Sequence, residues 1–177
     1  ASPLQRGAVN LSAQFWKAHG GKTAVRASLN PSDIVISDSV WHIRPGVIHW
    51  HNGRADVSNV SLASSDRHLT LNGFVSSEEE DTLTVDVKDF DLAYLFNIVN
   101  FHAVDFKGFA TGRVYGRTLT RQPQADAFLQ VHDFSFNGAD MGEMDVHINW
   151  GARPKTIQLD AYIQDPPARQ QTMVRGS

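Results

Sequence analysis

The chain has 177 residues, 41% hydrophobic and 20% charged, which suffices for one large or two small domains and excludes a disordered chain. Its 16 basic and 19 acidic residues are well mixed and leave a net charge of -3, so there is no broad basic field for nucleic acid. The absence of cysteine excludes disulfides and thiolate zinc sites, and suits an exported protein. No stretch approaches the roughly 18 apolar residues of a membrane span, and the first residues shown carry no basic-then-apolar leader. The sequence is therefore expected neither to span a membrane nor to carry an export signal of its own.

In chain order, Val9 to Phe15 alternates with period two and ends in the turn signal His19-Gly20-Gly21. Thr23 to Leu29 is its expected hairpin partner, closed by Asn30-Pro31-Ser32 because proline lacks the ladder donor. Ile34-Val35-Ile36 and Val40-Trp41-His42-Ile43 are two further short strands, Arg44-Pro45-Gly46 punctuates them, and Val47 to His51 leads into the hairpin turn Asn52-Gly53.

Residues 53 to 88 carry the most regular pattern and are expected to form three consecutive antiparallel strands. Gly53 to Val57 alternates, with a bulge before Val60 and Leu62 restore the phase. Leu69 and Leu71, then Leu83, Val85 and Val87, share one greasy face, while His68, Thr70, Asn72, Thr84 and Asp86 share the wet one.

The period changes once. Asp89 or Asp91 can cap a helix near 91–99, with Leu92, Leu95, Phe96 and Val99 at helical spacing and turned inward over one end or edge of the sheet. Strands resume through Val104 and Phe106 to Val114, interspersed with Gly108, Gly112 and Gly116, whose spacing of four keeps them on one strand face for a close backbone approach. Ala125 to Val131, Met144 to Trp150 and Ile157 to Ile163 follow, with turns at Asn137-Gly138 and Gly151-Ala152-Arg153-Pro154. Residues 1–165 read as a single strand-rich domain, and the polar tail 166–177 is expected to be disordered or vector-derived.

For a chain of about a dozen strands and one helix, a closed barrel or sandwich is the usual way to hide one greasy face and remove exposed edges. Ala110, Ala125, Ala127 and the glycines favour room over packing, whereas Trp41, Trp50, Phe74, Phe106 and Phe109 are large enough to fill a core or partly cover an outer face.

Catalytic and metal signals are weak. His49 and His51 point to one side of a strand, and Asp56 approaches only across the Asn52-Gly53 hairpin, so solvent-side histidines outweigh a metal site and no metal is expected. Glu78-Glu79-Glu80-Asp81 reads as a solvated loop tip, since consecutive carboxylates splay apart. No nucleophile elbow, phosphate loop or dinucleotide fingerprint occurs, so neither an enzyme nor a cofactor is expected.

The order of these pieces resembles a known family. Asp38 to Pro45, Asn52-Gly53-Arg54, His68 to Gly73, Asp81 to Leu92, Gly108 to Gly116 and Met141 to Val146 together are similar to the carboxy-terminal region of TamB proteins of the AsmA-like envelope group, in their Bacteroides-lineage form. The resemblance covers residues 20–165 and would make the chain an internal slice. It implies an all-β fold in which an elongated, curled antiparallel meander forms an open β-taco groove, within an inner-membrane-anchored periplasmic protein. Such proteins reach an outer-membrane barrel of the Omp85 type, and their proposed cargo is phospholipid or unfolded outer-membrane protein strands. On that reading Leu69, Leu71, Leu83, Val85, Val87, Leu129, Val131, Met144, Val146, Ile148, Ile157 and Leu159 line one continuous groove. The alternative is a rigid β-rich scaffold or adhesin-like domain with a fully packed core.

Overall fold

The computed structural model describes residues 5–17, 20–36, 39–94, 105–151, 157–164 and 172–176. Fourteen strands among them form one sheet: β1 Gln5–Gly7, β2 Leu11–Lys17, β3 Thr23–Leu29, β4 Ser32–Ile36, β5 Ser39–Arg44, β6 Gly46–His51 and β7 Arg54–Ser64 in the first half. The second half contains β8 Arg67–Val75, β9 Thr82–Asp91, β10 Phe106–Arg117, β11 Gln124–Phe136, β12 Ala139–Trp150, β13 Ile157–Gln164 and β14 Thr172–Gly176. Every pairing is antiparallel.

The branched strand order near the start is a simple meander whose passes are interrupted. Val47 opposes Ser58 and Arg44 opposes Ser61 at one constant offset, so β5 and β6 are one strand broken only at Pro45, which has no N–H to give. Likewise β3 and β4 are one strand broken at Asn30-Pro31, since Leu29 opposes Gly46 and Ser32 opposes Ile43. The broken ladder is re-satisfied locally: Asn30 N donates to Asn10 O at 2.9 Å, and Asn10 N donates to Ser32 Oγ at 2.8 Å. The sheet thus runs as eleven up-and-down passes from β1–β2 to β14. β1 and β14 are not paired, so the sheet is open, and the closed barrel and two-sheet sandwich are both corrected.

Three bulges keep one face greasy. Asn59, Asp89 and Asp133 have φ of 53°, 49° and 52°, the left-handed region that Asn and Asp tolerate. Each inserts one residue, so that Val57 and Val60, Val87 and Phe90, and Val131 and Phe134 lie on the same face despite their spacing of three. The first is the bulge expected before Val60. The orphaned N–H at Asn59 donates to Asn72 Oδ1 at 2.8 Å, and that of Asp89 to Thr111 Oγ1 at 3.0 Å. Asn52-Gly53 and Asn137-Gly138 make the expected two-residue turns with positive φ at both positions.

A helical turn begins at Leu92–Tyr94, capped by Asp91, whose Oδ1 accepts from Ala93 N at 2.8 Å and Tyr94 N at 3.4 Å. The remainder of the expected helix, with Leu95, Phe96 and Val99, lies outside the described residues. Within the tail expected to be unpatterned, Thr172–Gly176 pairs with β13, a correction that follows because an open edge accepts any strand able to offer its backbone.

Candidate binding face

Direct cross-strand opposition fixes which side chains share a face. One unbroken row runs Val60, Leu71, Val85, Val114, Ala127, Ile148, Leu159 from β7 to β13. Beside it run Leu62, Leu69, Val87, Gly112, Leu129, Val146, Ala161 and, on the other flank, Gly73, Leu83, Gly116, Ala125, Trp150, Ile157. Val131 and Met144 oppose one another one step further along β11 and β12. All twelve expected groove residues therefore lie on one face of one sheet.

That face is not uniform. Along one rim, where β4, β9, β11 and β13 end, it is covered. Trp41, Phe90 and Tyr94 form a buried cluster with Leu69 and Val87 against it. Ala110, Val131 and Phe134 form a second, with Leu92, Leu129, Met144 and Val146 against it. The capped helical turn joins them, giving Tyr94 to one cluster and Leu92 to the other. Tyr94 is fastened: Trp41 Nε1 donates to its hydroxyl at 2.8 Å, and the hydroxyl donates to Ile36 O at 2.6 Å. The Arg67 guanidinium lies 4.5 Å from its ring.

Toward the opposite rim, Leu71, Leu83, Val85, Ile148 and Leu159 belong to neither cluster and are half-buried, while Ile157 is 59% exposed and Trp150 44%. The expected groove thus divides into six residues packed in or against the two buried clusters and six outside them, of which five are half-buried and Ile157 is exposed. The alternation along each strand could not reveal this division, because the covering residues come from strands far apart in sequence. Sequence reasoning also passed over Val114 and Trp150 as lining residues, although their alternation with Arg113, Tyr115 and Asn149 carried the signal.

The glycines occupy the close approaches expected of them. A Cβ on Gly112 would sit 2.1 Å from Phe128 O, and one on Gly73, at φ +117°, 2.2 Å from Thr82 O. These positions bring neighbouring backbones together and leave gaps in the apolar rows where a side chain would otherwise rise.

No family model, curated protein or solved structure matches this chain.

The outer face is polar and laced with ion pairs. Arg113 Nε meets Asp86 Oδ1 at 2.6 Å, and this bond to Asp86 raises the arginine further above its ordinary value. His132, between Asp133 and Asp89 at 3.3 and 3.4 Å, is raised by its hydrogen bond to Asp133 and then by Asp89, against a lowering by burial. His49 opposes Asp56 and stacks between Trp16 and His51 at centroid distances of 5.3 and 5.9 Å. Among the described residues no group of three potential ligands converges on a metal position.

The acidic run 78–81 is exposed through Glu80, but Asp81 is only 7% exposed and pairs with Arg54 Nη2 at 2.6 Å. The reading of that run as wholly solvated is corrected at Asp81, because an arginine from β7 compensates the carboxylate.

Proposed function

We propose that the open half of the apolar face holds acyl chains or extended apolar protein segments, as part of a non-enzymatic carrier or chaperone of the bacterial envelope. One observation carries the reading: the row Leu71, Val85, Val114, Ala127, Ile148, Leu159 is continuous across six strands and, among the described residues, belongs to neither buried cluster. Five strand spacings make it about 24 Å long, a trough that suits a long acyl chain. At about 25 cal/mol per Å² of apolar surface, such a chain gains several kcal/mol from continuity alone, without a tailored polar pocket. The resemblance to TamB-like proteins supports the same reading. On it, the full-length protein is periplasmic, anchored in the inner membrane and coupled to an Omp85-type barrel, with phospholipid or unfolded outer-membrane protein strands as cargo.

The test is lipid mass spectrometry of material that copurifies with the native domain, together with binding of a fluorescent fatty acid. Ile148→Asp places a carboxylate in the row and is expected to abolish dye binding. Asp145→Arg, on the other face, is expected to leave it unchanged. A folded Ile148→Asp variant that binds as well as the parent, or a parent that binds no acyl probe, overturns the proposal.

A further inference from the structure

The outer face of β10–β13 carries a second kind of surface. Thr111, Gln130, Asp145 and Tyr162 stand directly opposite one another across the four strands, and the adjacent row begins Arg113, Phe128, His147. Between these rows lies a cleft of about 480 Å³ lined by Thr111, Phe128, Gln130, Asp145, His147 and Tyr162. Phe128 is 51% exposed and stacks on His147 with centroids 4.5 Å apart and planes 11° from parallel, which holds a flat apolar plate open to solvent. Tyr162 offers a second ring at the far end of the polar row and is 36% exposed. The Gln164 amide donates to Asp145 and orients its carboxylate.

Each ligand class makes different demands on this cleft. A phosphate or other anion would meet the Asp145 carboxylate, while Arg113, the arginine in the adjacent row, is engaged by Asp86 at 2.6 Å. An acyl chain would cover the Gln130 amide and the remaining hydrogen-bonding capacity of Thr111 and Asp145, which Asp89 and Gln164 engage only in part. A quaternary ammonium would suit the rings and the carboxylate but leave the Gln130 amide unanswered. An oligosaccharide meets all of them, since the groups span three strand spacings of about 4.8 Å and successive rings present apolar C–H faces to the aromatic plates and hydroxyls, both donors and acceptors, around their edges.

We propose that this outer-face cleft binds a neutral glycan, with successive sugar rings against Phe128 and Tyr162 and their hydroxyls hydrogen-bonded to Thr111, Gln130 and Asp145. The site lies on the opposite face from the acyl row and is independent of it.

The experiment titrates the native chain with chitohexaose, cellohexaose and maltohexaose at up to millimolar concentration, read by calorimetry and by NMR shifts. At least one hexasaccharide is expected to bind and to shift the resonances of Phe128 and Gln130. Phe128→Ala is expected to weaken it at least tenfold and Gln130→Ala several-fold. Phe15→Ala, which removes a ring that is 69% exposed on the other face, leaves affinity unchanged. Because Phe128 is half exposed, its loss is compatible with folding, and Gln130→Ala provides a second reading that disturbs no ring stack. Absence of binding by all three sugars, or parental affinity in either folded variant, overturns the proposal.

Discussion

At the scale of single residues, a few positions set the phase of long strands. The segments Val57-Ser58-Asn59-Val60, Val87-Lys88-Asp89-Phe90 and Val131-His132-Asp133-Phe134 share one pattern, an aliphatic residue, a polar one, Asn or Asp at positive φ, then another apolar residue. Without the left-handed residue, Phe90 and Phe134 would turn to the wet face. Gly73 meets a related constraint, since its φ of +117° and the 2.2 Å approach to Thr82 O admit no side chain. Gly73→Ala is expected to cost at least about 2 kcal/mol, measured as a shift of the urea midpoint with the slope unchanged. His132 adds a pH term. Its folded value is raised above the ordinary 6.5, so its contribution is complete below that pH and disappears as pH rises through the folded value. His132→Gln should therefore destabilise at pH 5.5 and be neutral at about pH 8; an equal loss at both would refute the ion pair with Asp133 and Asp89.

At the scale of elements, the tie between β9 and the β4–β5 hairpin is the feature least expected from local pattern. Tyr94 reaches Trp41 and the carbonyl of Ile36 across a separation of more than fifty residues in sequence. The hydroxyl both accepts and donates, so Tyr94→Phe leaves a buried indole N–H and a carbonyl without their partner. A loss of about 2 kcal/mol is expected by chemical denaturation. Trp41→Phe should cost a similar amount, and the double variant should cost less than the sum if the two act as one unit. Strict additivity would mean that the hydrogen bond carries no coupling.

At the scale of the whole molecule, an open meander has nearest-neighbour energetics. Each pass leans on the strands beside it, and the two clusters along one rim, with a few polar ties such as Arg67–Ser39, Thr120–Ser76 and His132–Asp89, brace passes that are not neighbours. Native-state hydrogen exchange should accordingly be graded: slowest in β9–β11, where Phe90, Ala110, Val131 and Phe134 are buried, and fastest in β2, whose residues are all exposed. A single exchange rate shared by all strands would contradict this one-dimensional picture.

The succession of strands, the turns at Asn52-Gly53 and Asn137-Gly138, the bulge before Val60 and the shared face of Leu69, Leu71, Leu83, Val85 and Val87 all follow from periods of two and from the few residues that tolerate positive φ. These are local rules, and local rules are legible in a sequence. Whether the sheet closes was not, because closure depends on which strands become neighbours at the two edges and not on the alternation within any of them. The division of the apolar face also waited for the fold, since Trp41 covers it only when Tyr94 is brought alongside. The same holds for the outer cleft: Thr111, Gln130, Asp145 and Tyr162 lie on four strands, and only the register sets them in one row.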